Sequence, residues 1–163
     1  MKIYTKIINQ QVSSDTAIET VSLGFDERKR GRLKIHCDSG SQAGIQIDRG
    51  VVLRDGALLA DHEGNLLRVF ASKESVSTAY IDNATLFARG CYHLGNRHVS
   101  LQIADGFLRF QTDYVLDEML HGLGIHVVHE VAEFEPESGA YAKGHSHGHQ
   151  HDHTNAAGHS HDH

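Results

Sequence analysis

The chain has 163 residues, enough for one ordinary domain or two small ones. Fifteen Lys and Arg against 21 Asp and Glu leave a formal charge of −6, which argues against nucleic-acid backbones and anionic membrane surfaces as partners. No stretch approaches ~20 consecutive apolar residues, so a transmembrane helix is excluded.

The opening MKIYTKIINQQ makes a poor secretory signal, because Lys6, Asn9 and Gln10 interrupt its apolar run. This points to the cytoplasm. Cys37 and Cys91 form neither a CxxC pair nor a disulfide framework. Up to residue 72 the pattern predicts short strands broken by turns, over 2–8, 20–25, 32–37, 44–47, 57–60 and 66–70. Asp38-Ser-Gly-Ser and Asp61-His-Glu-Gly-Asn supply turns, the second at hairpin length. Residues 1–72 therefore read as a small all-β domain.

The character then changes. Residues 74–81 read as a strand, and Asp82-Asn83 offers a helix N-cap. Leu86, Phe87, Cys91 and Leu94 form the apolar stripe of a helix that ends at Gly95-Asn96. Two strands, 99–103 and 107–110, flank the turn Ala104-Asp-Gly. A second helix is predicted over 113–121, with Val115, Leu116, Met119, Leu120 and Leu123 facing the core and Gly122 and Gly124 stopping it. Residues 126–134 make a last strand. The order βαββαβ over 73–135 predicts a ferredoxin-like domain, so the fold class is α+β. From 136 to 163 the apolar residues disappear and the composition predicts a disordered tail.

That tail is the most unusual feature. Of 15 histidines in the chain, eight lie in it: His145, His147, His149, His151, His153, His159, His161 and His163. They alternate with Ser, Gly, Gln and Asp. In an extended chain residues i and i+2 project from the same side, so each HxH pair can close on one cation. Neutral imidazole suits Ni, Zn and Cu, and is a poor ligand for Mg or Ca. A purification tag is normally an unbroken His run, and a merely solvated tail uses Glu, Lys or Ser. The tail is therefore read as a loose, high-capacity metal-binding segment suited to capture and release.

Seven histidines remain. His36 and Cys37 are neighbours on a predicted strand and point to opposite faces. His62 sits on a hairpin tip, His121 fits a helix C-terminus, and His126 and His129 fall on opposite faces of the last strand. None of these reads as a ligand. His93 and His98 differ, because they bracket Leu94-Gly95-Asn96-Arg97 at the exit of the first long helix. The turn formers Gly95 and Asn96 let the chain reverse there and present His98 at an exposed corner.

Gly90-Cys-Tyr-His-Leu-Gly-Asn-Arg-His98, then Asp113-Tyr-Val-Leu-Asp-Glu-Met-Leu-His-Gly-Leu-Gly124 and a His-rich C-terminus, together resemble the UreE family of urease accessory metallochaperones. The resemblance covers the whole chain. It implies a peptide- or partner-binding β domain, a ferredoxin-like metal-binding domain and a metal-binding tail. It also implies that His98 binds metal at the two-fold axis of a homodimer, one imidazole from each protomer, with His93 as a second family histidine. Where some members carry a histidine pair before and within the DxVL segment, this chain has Thr112 and Tyr114, which leaves the tail as the source of further ligands. Ligand type alone does not choose between nickel and zinc, and copper has the higher intrinsic affinity. Nickel is what the resemblance implies, with zinc or copper as ions bound in vitro.

The leading function is a nickel carrier that serves apo-urease together with the accessory GTPase. The alternative is a cytoplasmic nickel or zinc store with no delivery partner. An enzyme is disfavoured: HExxH, GxSxG and a phosphate-binding Gly loop are all missing from the sequence.

Overall fold

The computed structural model describes residues 1–139. The eight tail histidines and the disorder expected of them lie outside the described residues.

The N-terminal half contains seven strands in two sheets. Strand β1 (Lys2–Tyr4) and β2 (Lys6–Ile8) were expected as one strand, but the chain breaks at Thr5 and each half joins a different sheet. At the break the Thr5 amide donates to the Ala60 carbonyl at 3.0 Å. After β3 (Ile18–Leu23) the chain enters a short helix, α1 (Phe25–Arg28), which periodicity did not reveal. Its start is tied by the Glu27 carboxylate, which accepts from the Gly24 amide at 3.0 Å, and by Glu74, which accepts from the Phe25 amide at 2.8 Å. Next come β4 (Arg32–His36), β5 (Gln42–Gln46), β6 (Ala57–Ala60) and β7 (Leu66–Ala71). One sheet has the order β1-β5-β4 and the other β2-β6-β7-β3.

The β6–β7 hairpin follows from its loop chemistry. Asp61 accepts from the Glu63 and Asn65 amides at 3.0 and 2.8 Å, and Gly64 takes the left-handed conformation that the turn needs. Ile35, Ala43 and Ile45 from one sheet meet Val21, Leu59, Leu67 and Val69 from the other in one buried cluster.

The C-terminal half runs β8 (Lys73–Tyr80), α2 (Ala84–Gly95), β9 (Gln102–Ala104), β10 (Phe107–Gln111), α3 (Tyr114–Gly122) and β11 (Val128–Glu133). The strands form one antiparallel sheet in the order β11-β8-β10-β9. Both helices start on side-chain caps. Asn83 accepts from the Leu86 amide, and Asp113 accepts from the Val115 and Leu116 amides. Leu94, Leu116 and Leu120 join Ala79, Leu108, Phe110 and Val127 in the core beneath them. Gly90 is buried at the closest approach of α2 to this core. A Cβ there would lie 2.9 Å from Leu108 Cδ1.

Two expectations about these elements need correction. Val115 was expected on the core face of α3, yet it is 66% exposed, and Asp117 turns inward instead. The cause is a partner from another element: the Asp117 carboxylate meets His129 of β11 at 2.7 Å. The strand expected at 99–103 begins only at Gln102, because residues 96–98 form a turn before it.

The two halves meet along Phe25, Val76 and Phe134, with Val52 and Ala132 packed against them. The Phe25 and Phe134 rings meet edge-to-face at 5.4 Å. At their centre Arg28 is fully buried. Its guanidinium donates to the carbonyls of Leu23, Leu53 and Phe134 and to the Glu135 carboxylate. Beyond it Pro136 is buried, Glu137 donates its amide to the Leu101 carbonyl at 2.8 Å, and Arg54 reaches the Ser138 hydroxyl at 2.6 Å. The root of the tail is thus tied to both halves, although composition places residues 136–138 with the tail. Among the described residues no helix is long and apolar enough to cross a membrane.

Candidate metal centre

The last turn of α2 and the turn after it carry His93 and His98. The helix closes through Asn96, whose amide donates to the Tyr92 carbonyl, and Arg97, whose amide donates to that of Leu94. The His98 amide then donates to the Gly95 carbonyl at 3.0 Å. At His98 itself the chain turns left-handed, with φ 54°. Among the described residues it is the only one other than glycine with positive φ. A side chain held there costs about 1–2 kcal/mol relative to glycine.

The His98 side chain is exposed and has no hydrogen-bond partner among the described residues. His93 is half-buried on the preceding turn, edge-on to Tyr92 at 5.2 Å between centroids. The structure therefore brings the two candidate histidines to the same end of one helix. The chain after His98 enters a hollow lined by Val99, Ser100, Phe110, Gln111, Thr112, Asp113 and Leu116, which neither histidine lines.

The neighbouring polar groups do not add ligands. The Asp113 carboxylate is committed to capping α3. Cys91 packs against the core, and burial pushes its thiol above the ordinary range, which disfavours the thiolate that a metal requires. Among the described residues no three His, Cys, Asp or Glu side chains converge on one point. A single imidazole on an exposed corner binds a divalent ion weakly. A carrier site here needs further ligands from outside this corner.

The other ordered histidines fall largely where the pattern put them. His36 is exposed while Cys37 is buried, and His62 is exposed on its hairpin tip. His126 and His129 were expected on opposite faces of one strand. His126 instead precedes β11 and lies near-parallel to His121, with ring centroids 6.3 Å apart. His129 is bonded to Asp117, whose other carboxylate oxygen is buried without a partner. Local spacing carries no trace of either pairing, because both join α3 to the chain beyond its closing turn.

With this geometry in place, comparison with known proteins is direct. The model described as "UreE urease accessory protein, C-terminal domain" matches residues 74–163, and the corresponding N-terminal domain model matches 3–72. The chain belongs to the UreE family. It is 50% identical over 137 residues to the urease accessory protein UreE of Shewanella halifaxensis, covering 84% of this chain and 78% of that one. To the protein of the same name from Pseudomonas putida strain W619 it is 53% identical over 129 residues, or 78% and 80% of the two chains. The Proteus mirabilis UreE is 46% identical over 146 residues, 86% of this chain and 91% of its own. His93, His98 and all eight tail histidines fall within the match to the UreE C-terminal domain.

Proposed function

We propose that this UreE-family chain is a nickel metallochaperone that collects Ni²⁺ in the cytoplasm and hands it to apo-urease, in a complex with the accessory GTPase. The metal is cargo. Two protomers place their His98 imidazoles on one ion at the dimer axis, with His93 nearby. The tail histidines His145, His147, His149, His151, His153, His159, His161 and His163 complete the ligand set and add capacity. The protein performs no chemistry on its cargo.

The observation that carries this reading is His98 itself: an imidazole kept in a strained backbone conformation, fully presented, at the corner where the family motif ends. Two such corners related by a two-fold axis preposition a pair of nitrogens and leave positions open for exchange, as a carrier needs and a structural site does not. The strand order of the C-terminal half supports a ferredoxin-like domain over 73–135, preceded by a β-rich partner-binding domain over 1–72. Membership in a family of urease accessory proteins favours delivery over storage alone.

The test is calorimetric titration of Ni²⁺ into the full chain, with native mass spectrometry to count ions and protomers. His98→Ala abolishes the tightest site, shared by two protomers. Truncation after Gly144 keeps that site at reduced affinity and lowers the number of ions. Unchanged tight binding in His98→Ala, or a monomeric chain with full affinity, overturns the assignment.

A further inference from the structure

The far end of the C-terminal sheet holds a second pair of imidazoles. In β8 and β10, Tyr80 faces Phe107 and Val76 faces Gln111, so the strands run in opposite directions and the helices that follow them do too. The C-terminal end of α3 therefore lies at the opposite end of the sheet from His98. The nine residues of α3 span about 13 Å. No single ion touches His98 and the end of α3 in one protomer.

At that end His121 occupies the last turn of α3, and His126 follows five residues later. The loop between them is well defined. The Leu123 and Ile125 amides donate to the Leu120 carbonyl, the Gly124 amide donates to that of His121, and Gly124 takes φ 80°. Ile125 and Val127, on either side of His126, are buried, which turns His126 outward. Both rings are exposed, with centroids 6.3 Å apart and planes inclined by 26°. Glu118, one turn before His121, brings Oε1 to 3.9 Å from His121 Nδ1 and is otherwise exposed.

We infer that His121 and His126 form a second transition-metal site, a two-nitrogen chelate for a borderline divalent ion such as Ni²⁺, Cu²⁺ or Zn²⁺. With a metal–nitrogen bond of about 2.0–2.1 Å, an ion in the ring plane lies about 3.2 Å from the centroid. Two rings on one ion then have centroids between about 4.5 Å, at right angles, and about 6.4 Å, on opposite sides. The observed 6.3 Å lies at the wide end of that span, so closing the pair on one ion at a tetrahedral or octahedral angle requires both exposed side chains to rotate until the centroids come to about 4.5–5.2 Å. His129 is excluded from the set because Asp117 holds it. With two protein ligands and the rest water, the site exchanges quickly. It serves as a surface transit position, independent of the His98 assignment.

The experiment uses the full-length chain with His98 and the eight tail histidines replaced by Asn, which leaves His121 and His126 as the nearest pair of imidazoles. Ni²⁺ titration is followed by calorimetry, and substoichiometric Cu²⁺ broadening of the imidazole NMR signals reports the location. Expected are one ion per chain with micromolar affinity, and earliest broadening at His121 and His126. His126→Phe, which keeps a ring against His121 and removes the nitrogens, weakens binding at least tenfold. His129→Asn leaves it unchanged. Affinity unaffected by His126→Phe, or broadening centred on His36, His62, His93 or His129, overturns the site. Because His98 is absent throughout, either result leaves the carrier assignment to its own test.

Discussion

Arg28→Met asks how firmly the two halves and the root of the tail are joined. The native guanidinium is fully buried and donates to three backbone carbonyls and the Glu135 carboxylate. Methionine fills much of the same space and donates nothing. Leu23 keeps a partner, since the Ser72 amide also donates to its carbonyl at 3.0 Å, whereas Leu53 and Phe134 lose the donor that Arg28 supplied. Each stranded buried carbonyl costs about 1–3 kcal/mol. Glu135, with its side chain 29% exposed, turns to water and keeps the Asp55 amide and the Arg54 guanidinium at 3.9 Å, which limits the cost of losing Arg28.

The total is about 3–5 kcal/mol, the range seen when one partner of a buried ion pair is removed. Against a urea dependence of about 2 kcal/mol per molar, the unfolding midpoint drops by about 2 M. Glu135→Gln keeps an acceptor and costs about 1 kcal/mol. Circular dichroism of metal-free protein in urea measures both. Hydrogen exchange at Glu137, whose amide is bonded to the Leu101 carbonyl, reports whether the tail root loosens in parallel. A loss under 1 kcal/mol in Arg28→Met, with Glu137 still protected, refutes the argument that this guanidinium clamps the interface.

His98→Gly removes a ring and relieves a left-handed strain of about 1–2 kcal/mol, offset by about 0.5–1 kcal/mol of glycine entropy. Its melting temperature therefore matches or slightly exceeds that of the parent while tight Ni²⁺ binding disappears; a loss beyond 2 kcal/mol assigns His98 a structural role instead. Gly90→Ala puts a methyl group 2.9 Å from Leu108 Cδ1 and 3.3 Å from Ile125 Cδ1. Both leucine and isoleucine are buried and cannot swing clear, so overpacking outweighs the better helix propensity and calorimetry finds about 1 kcal/mol lost. The Glu130 carboxyl is held below its ordinary range by hydrogen bonds from the Tyr80 hydroxyl, then Thr78, with the Arg109 guanidinium beside it. Its contribution is complete above the ordinary glutamate value of about 4.3 and fades as pH falls through the lower folded value. Glu130→Gln accordingly flattens the acid limb of the melting-temperature profile, and an unaltered slope below pH 4 counts against that network.

Elements whose causes are local were legible in the amino-acid order. The helix that carries His93 follows from the Asn83 cap, the stripe Leu86, Phe87, Cys91 and Leu94, and Gly95-Asn96 at its end. The 57–60 and 66–71 hairpin follows from Asp61 and Gly64. The corner at His98 is exposed as expected, but Gly95 and Asn96 stay right-handed and the left-handed residue is His98 itself. Other features depend on distant partners. Residues 2–8 read as one strand because alternation reports a buried face without saying which sheet covers it; they part at Thr5 because the first half pairs with β5 and the second with β6, in different sheets.

In α3, Val115 and Asp117 exchange their expected faces because β11 brings His129 to the carboxylate, a pairing twelve residues away in sequence. Arg28 looks like any surface arginine until three carbonyls from separate segments close around it. Periodicity and capping act within a turn or two of the chain and can be read from neighbours. Burial, ion pairing and the grouping of histidines 121 and 126 depend on which surfaces the folded chain presses together, and that choice is made by the sum of many weak contacts far apart in sequence.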